Sequence, residues 1–269
     1  MLAIEHSFDG RIVTVTLNRP DRRNALNHSL VNELTTVIAG LSADAHIRVV
    51  VLTGSGTVFS AGADLQALQS LQSASFEDNL ADSEALATLF RTMITSPKLL
   101  LAKVNGHAIA GGSGLVAACD ISIASNSAKF GFTEVRIGFV PALVSVLLQY
   151  RINEANLRDI LLSGRLFEAP EAQKMGLINQ SVPSELLDDA VNEYAESICR
   201  NTSPNAIEKT KSLLFSNAGR EFDSAFEAAV KANAEARSSA DCKAGIKAFL
   251  AKSDAPWSEA FDRDHPDLA

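Results

Sequence analysis

The chain has 269 residues, 46% hydrophobic and 21% charged, with 24 Lys+Arg against 32 Asp+Glu and a formal net charge of −8. That length and balance allow a sizeable core and exclude disorder as the main state. An acidic chain is a poor binder of nucleic acid or an anionic membrane through bulk charge, although a local basic patch for an anionic ligand stays open.

In chain order, Arg11–Asn18 alternates apolar and polar residues and reads as a strand ending before Pro20. Asn27 can cap a helix with Leu30, Leu34, Val37 and Leu41 on its apolar face. Val49–Thr53 reads as a buried strand stopped by Gly54-Ser55-Gly56, and Phe59–Leu65 as a loop of small residues. Gln66–Asn79 is polar without a clear period, so a mobile helix or loop is expected there; Ser83–Ile94 reads as a helix closed by Pro97. Leu99–Val104 is a strand turned by Asn105-Gly106, and the glycine-rich Ala110–Gly114 leads into a helix over Leu115–Cys119. Ile121–Ala124 and Lys129–Phe132 follow as short strands. Beyond Ser145 the pattern turns helical, over Glu154–Ser163, Pro170–Lys174, Glu185–Cys199, Pro204–Phe215, Phe222–Ala236 and Asp241–Lys252. The expected fold class is α/β with a mostly parallel sheet in the first two thirds and a helical appendage in the last.

Cys119, Cys199 and Cys242 are widely spaced and odd in number, fitting neither a zinc pattern nor a disulfide framework. They read as small buried groups in a reducing compartment. Met1–Arg11 carries Glu5 and Asp9 where a signal peptide has a basic start, and the longest strongly apolar stretch, near Phe139–Leu148, is too short to span a bilayer. A cytoplasmic protein is expected.

Three segments could carry chemistry. In Phe59–Leu65 the small residues allow a ligand close to backbone N–H groups, or else pack the loop tightly against its neighbours. Asn105–Leu115 places a glycine run at a helix start, where backbone donors meet the positive end of the helix dipole. It is neither a Walker loop nor a dinucleotide fingerprint, and Ser113 lacks the final glycine of a nucleophile elbow. Ser113 reads as a buried structural serine and His107 as a pocket-wall or hydrogen-bonded core residue. In Lys129–Pro141, Glu134 lies among apolar residues. Desolvation there would suit a proton shuttle, whereas pairing with Arg136 at the surface would make it inert. Asp64 and Asp120 could be paired carboxylates or loop caps.

Taken in order, these segments resemble the crotonase family, also called the enoyl-CoA hydratase/isomerase family. The resemblance starts at Arg19-Pro20 and Asn24–Asn27 and continues through Phe59–Leu65, Asn105–Ile121 and Phe130–Pro141. It ends with Leu162–Arg165, Ala172–Leu177 and Lys243–Lys252. It implies a spiral of ββα turns over residues 1–200 holding a CoA-thioester site, then a C-terminal helical trimerisation region over 201–269. A homotrimer or dimer of trimers, an acyl-CoA thioester substrate and a place in fatty acid metabolism are implied with it. No metal or separate cofactor is implied, since coenzyme A arrives as part of the substrate.

By the same resemblance, the backbone N–H groups of Ala63 and Gly111 form an oxyanion hole and Glu134 is the catalytic acid/base. Ala25, Ala61, Gly62, Asp64, Leu65, Gly112 and Gly114 match substrate-binding positions. Phe249 and Lys252 match a pair that reaches a neighbouring subunit's CoA. Hydratases of the family that use two carboxylates carry a Glu where this chain has Gly114, and Ala142–Ser145 replaces a glycine-rich run. Glu134–Gly138 with Pro141-Ala142 resembles the branch of methylglutaconyl-CoA and related branched enoyl-CoA hydratases. The first expectation is an enoyl-CoA hydratase working with one acid. The rivals are a single-carboxylate 3-enoyl-CoA isomerase and an acyl-CoA-binding protein without turnover.

Overall fold

A computed structural model describes residues 1–70, 72–202, 204, 207–212, 214–215, 223, 227, 230, 234, 237–238 and 240–253. Within the expected helix Pro204–Phe215 the described residues 204, 207–212 and 214–215 are helical, whereas the expected helix Phe222–Ala236 falls largely outside the described residues.

The larger sheet has six strands in the order β1 (Leu2–Ser7), β2 (Ile12–Leu17), β3 (Val49–Gly54), β5 (Leu99–Val104), β7 (Ile121–Ser125), β10 (Gln180–Val182). Only the β1–β2 pair is antiparallel. The unbroken apolar run of β3 follows from burial on both faces. Val50 and Leu52 face α1 (His28–Ala43), α3 (Phe76–Thr95) and α4 (Gly111–Ala118) in the main core. Val49 and Val51 join a second core with Leu187, Val191, Ala195 and Cys199 of α8 (Leu187–Asn201).

The smaller sheet runs β4 (Val58–Ser60), β6 (His107–Ile109), β8 (Lys129–Gly131), β9 (Leu166–Glu168). β4, β6 and β8 are parallel neighbours, and β9 is antiparallel to β8. Four short helices complete the frame: α2 (Leu65–Ser70), α5 (Ala142–Leu148), α6 (Glu154–Ser163) and α7 (Ala169–Met175). The last described helix, α9 (Ala240–Ala251), packs on the 3-10 turn Thr133–Ile137 through Cys242, Ile246, Ile137 and Phe139.

Several boundaries differ from those expected. Asn27 does cap α1, its side chain accepting from Leu30 N–H at 2.9 Å, but the buried face is Leu30, Val31, Leu34 and Ile38, with Val37 and Leu41 on its flank. The stretch expected to be a mobile helix or loop holds α2 and the first turn of α3. That turn starts seven residues before Ser83 because Ser75 and Asp78 form a capping box that polarity alone disguised. The glycines at 111, 112 and 114 lie inside α4 instead of before it. Strands of three residues (β6, β9, β10) are too short to show a period, and β1 is an exposed edge without an apolar face. No helix among the described residues is long and apolar enough to cross a membrane.

Candidate active site

The parallel trio β4, β6 and β8 places three loops side by side at its C-terminal end. Ala63 lies three residues past β4, Gly111 two past β6 and Glu134 three past β8. Residues far apart in sequence thus share one rim of a small sheet, as functional groups on parallel strands commonly do.

The Ala63 loop is fastened to Arg19–Asn27. Ala61 N–H donates to Arg23 O at 3.0 Å, Leu26 N–H to Gly62 O at 2.7 Å and Asp64 N–H to Leu26 O at 3.0 Å. The bridge therefore uses the groups on either side of Ala63, and the Ala63 N–H faces away from Leu26. Ser60 hydroxyl donates to Asn24 O at 2.9 Å, and Gly62 N–H donates back to Ser60 Oγ at 3.3 Å. Gly62 sits at φ +82°, and a Cβ there would fall 2.7 Å from Ile109 O. Only glycine permits this approach of the loop to β6. The Asp64 carboxylate is buried and committed inward, to Arg19 Nη2 at 2.8 Å and to Gln66 N–H at 2.9 Å. Asp64 thus shapes the loop from behind. Ala25 is buried beside it, its carbonyl accepting from Arg19 Nη1 at 2.5 Å.

Gly111 opens α4, so its N–H has no carbonyl one turn earlier to bond. Ala110 just before it holds φ 50° and ψ −119°, a strained setting for a residue with a Cβ. Ala110 N–H donates to Gly131 O at 2.7 Å, which ties this turn to β8 and to the Glu134 loop. Leu26, the partner of Ala63, also lies against Gly111: a Cβ there would be 3.2 Å from Leu26 Cδ1. Ala63 and Gly111 are thereby drawn into one neighbourhood. A Cβ on Gly112 would meet Ser60 O at 2.4 Å, so this glycine serves helix-to-strand contact.

Glu134 is buried in the turn Thr133–Ile137, with one carboxylate oxygen lacking any hydrogen-bond partner. Burial pushes its pKa up to about 7, opposed only by its own backbone N–H. Surface pairing with Arg136 does not occur; Arg136 lies instead against Gly164. Position 114 has no space for an acid, since a Cβ there would sit 2.7 Å from Phe90 Cζ and 2.9 Å from Val144 Cγ1.

Other expectations divide. Ser113 is buried and donates to Ala108 O at 2.5 Å, a structural role. His107 is hydrogen-bonded as expected, its Nδ1 accepting from Lys129 N–H at 3.2 Å, but it is an exposed strand residue and not a core one. Asp120 caps by accepting from Leu100 N–H at 2.7 Å and pairs with Lys211. All three cysteines are buried, as expected. Leu65 begins α2, while Phe249 and Lys252 lie exposed at the end of α9. Sequence reasoning missed Arg19 as the inner partner of Asp64. It also missed Gly245, where a Cβ would lie 2.0 Å from Ile137 O. An unbroken helical pattern gives no sign of such a contact.

A family model described as enoyl-CoA hydratase/isomerase matches residues 7–260. The chain belongs to the enoyl-CoA hydratase/isomerase family. A Thermus thermophilus relative, provisionally named an enoyl-CoA hydratase, is 42% identical over 90% of this chain and 96% of its own length. The short-chain-enoyl-CoA hydratase of Clostridium acetobutylicum is 32% identical over 91% and 93%. In three dimensions this crotonase-family chain resembles an enoyl-CoA hydratase from Mycobacterium avium, with a TM-score of 0.85 at 31% identity over 95% of this chain and 98% of that one. The chain is therefore an enzyme of the crotonase type.

Proposed function

We propose that the protein is an enoyl-CoA hydratase that adds water across the 2,3 double bond of a 2-enoyl-CoA with a single carboxylate, Glu134. The observation that carries this reading is the buried, half-unpartnered Glu134 on the same rim as Ala63 and Gly111. Ionised Glu134 takes a proton from water while the oxygen of that water bonds to C3. The electrons of the double bond shift toward the thioester, whose oxygen becomes negative. The Ala63 and Gly111 N–H groups meet that charge; one such donor can be worth about 3–4 kcal/mol. Protonated Glu134 then returns its proton to C2, so one hydrogen of water ends on C2 and the hydroxyl on C3. A pKa near neutrality suits a group that must both take and give a proton.

In this reading coenzyme A passes along Ala25 and the Ala61–Leu65 loop, while Gly112 and Gly114 act indirectly, seating α4 against Ser60 and against Phe90 and Val144. Phe249 and Lys252 reach a neighbouring subunit's CoA within a homotrimer or dimer of trimers, built through residues 201–269. The enzyme would work in the cytoplasm.

A second reading is favoured by the filled space at Gly114. An isomerase needs only one carboxylate: Glu134 removes a proton from C2 of a 3-enoyl-CoA and returns it at C4. Purified protein and Glu134→Gln, each given a short 2-enoyl-CoA and a 3-enoyl-CoA, separate the two. Gain of water on the 2-enoyl substrate, lost in the variant, supports the hydratase. Conversion of the 3-enoyl substrate at unchanged mass, without hydration, supports the isomerase. Unchanged turnover in Glu134→Gln overturns both.

A further inference from the structure

We infer that Asn79 and Arg237 form a polar subsite for an uncharged oxygen function, a hydroxyl or carbonyl, carried on the acyl chain of the substrate. This rests on the acyl-CoA reading above. Among the described residues, four buried side-chain N or O atoms have no partner: Glu134 Oε2, Asn79 Nδ2, Asn79 Oδ1 and Arg237 Nε. Folded proteins leave few such atoms, and each calls for an occupant or a role.

Asn79 and Arg237 are joined to each other and, through Phe139, to the backbone of the Glu134 turn. Arg237 Nη1 donates to Asn79 O at 3.1 Å, and the Arg237 guanidinium lies 5.5 Å over the Phe139 ring. Phe139 N–H in turn donates to the carbonyl oxygen of Glu134 at 3.0 Å. On the other side, Asn79 starts a buried face of α3 that continues through Ser83, Ala87 and Phe90. Phe90 lies against Gly114 in the helix that Gly111 opens. The cluster is thus joined to the Glu134 turn and to the Gly111 helix, and its two polar side chains are almost fully buried, Asn79 at 1% and Arg237 at 6% exposure.

Charge decides what fits. The Arg237 cation is already balanced by Asp82 at 2.6 Å, so no anion is needed. What is missing is a group that accepts from Arg237 Nε–H and Asn79 Nδ2–H and, for a hydroxyl, also donates to Asn79 Oδ1. A plain hydrocarbon tail would leave all three atoms unpaired, and sites built to bond a hydroxyl reject analogues that lack it.

The test is calorimetric binding of saturated acyl-CoA esters, which do not react, to the full chain. A series of chain lengths is used, with and without a terminal hydroxyl, on the parent protein, Asn79→Leu and Arg237→Met. At one chain length the hydroxylated ester should bind about tenfold more tightly than the plain one. Each variant should lose that preference while still binding the plain ester; two variants guard against one failing to fold. Equal binding at every length, or a preference that survives in both variants, overturns the subsite and leaves a buried water as its occupant. Failure of every ester to bind the parent protein overturns the acyl-CoA reading itself.

Discussion

At Glu134 two effects oppose each other: loss of water disfavours the carboxylate, and its own backbone N–H favours it. Desolvation is the larger, and the pKa stands at about 7 instead of 4.5. Glu134→Gln should lower turnover by about 100- to 10,000-fold, measured with the substrate that the parent protein converts. If the ionised form starts the reaction, kcat/KM should fall about tenfold per pH unit below pH 7 and level off above it. Stability runs the other way. A carboxyl whose folded pKa is raised stabilises fully below its unfolded pKa and loses that contribution as pH rises through the folded value. Denaturant titrations should therefore show the parent protein losing about 3 kcal/mol relative to Glu134→Gln between pH 4.5 and 8. At Gly114 the family's second acid cannot be restored by substitution alone. Gly114→Glu drives atoms into Phe90 and Val144, and should cost about 1–3 kcal/mol or more by thermal melting, without a gain in hydration. The glycine was visible in the sequence; the two side chains that occupy the space lie 24 and 30 residues away along the chain and were not.

Among the elements, local signals explain what sequence reading got right. Asn27 before an apolar stripe marks a helix start because its side chain fills an orphan N–H. Asn27→Ala should cost about 1 kcal/mol in a melt. Gly164 marks an end for a similarly local reason, holding φ +61° after α6, whereas Gly106 answers to a distant segment, since a Cβ there would lie 2.0 Å from Thr57 O. Elements placed by tertiary contact left no such mark. Gly245 exists where α9 crosses the carbonyl of Ile137, three residues after Glu134. Gly245→Ala should push α9 off that turn. The expected outcome is lower turnover with little change in melting temperature, since neither large core contains α9 residues. Arg237 sits on a buried row with Val230 and Ala234, a helical spacing. A charge on such a row was the one sequence signal that could have exposed it.

For the molecule as a whole, the cores differ in extent. The two faces of the six-stranded sheet carry the two larger cores, whereas α9 and the Glu134 turn share a small separate one built on Cys242 and Ile246. Local opening should follow this division. Hydrogen exchange should be slow in β2, β3, β5 and β7 and markedly faster in α9; equal protection would show that α9 opens only with the sheet. The sequence alone determined the α/β class, the central strands at Val49–Thr53 and Leu99–Val104, the family and the three candidate loops. Each is written in a period, a cap or an ordered motif within a few residues. Only the tertiary structure decided that β4, β6 and β8 deliver Ala63, Gly111 and Glu134 to one rim, that Asp64 faces Arg19, and that Phe90 and Val144 exclude an acid at Gly114. Those outcomes depend on which distant segments displace water from one another, and no local pattern carries that information.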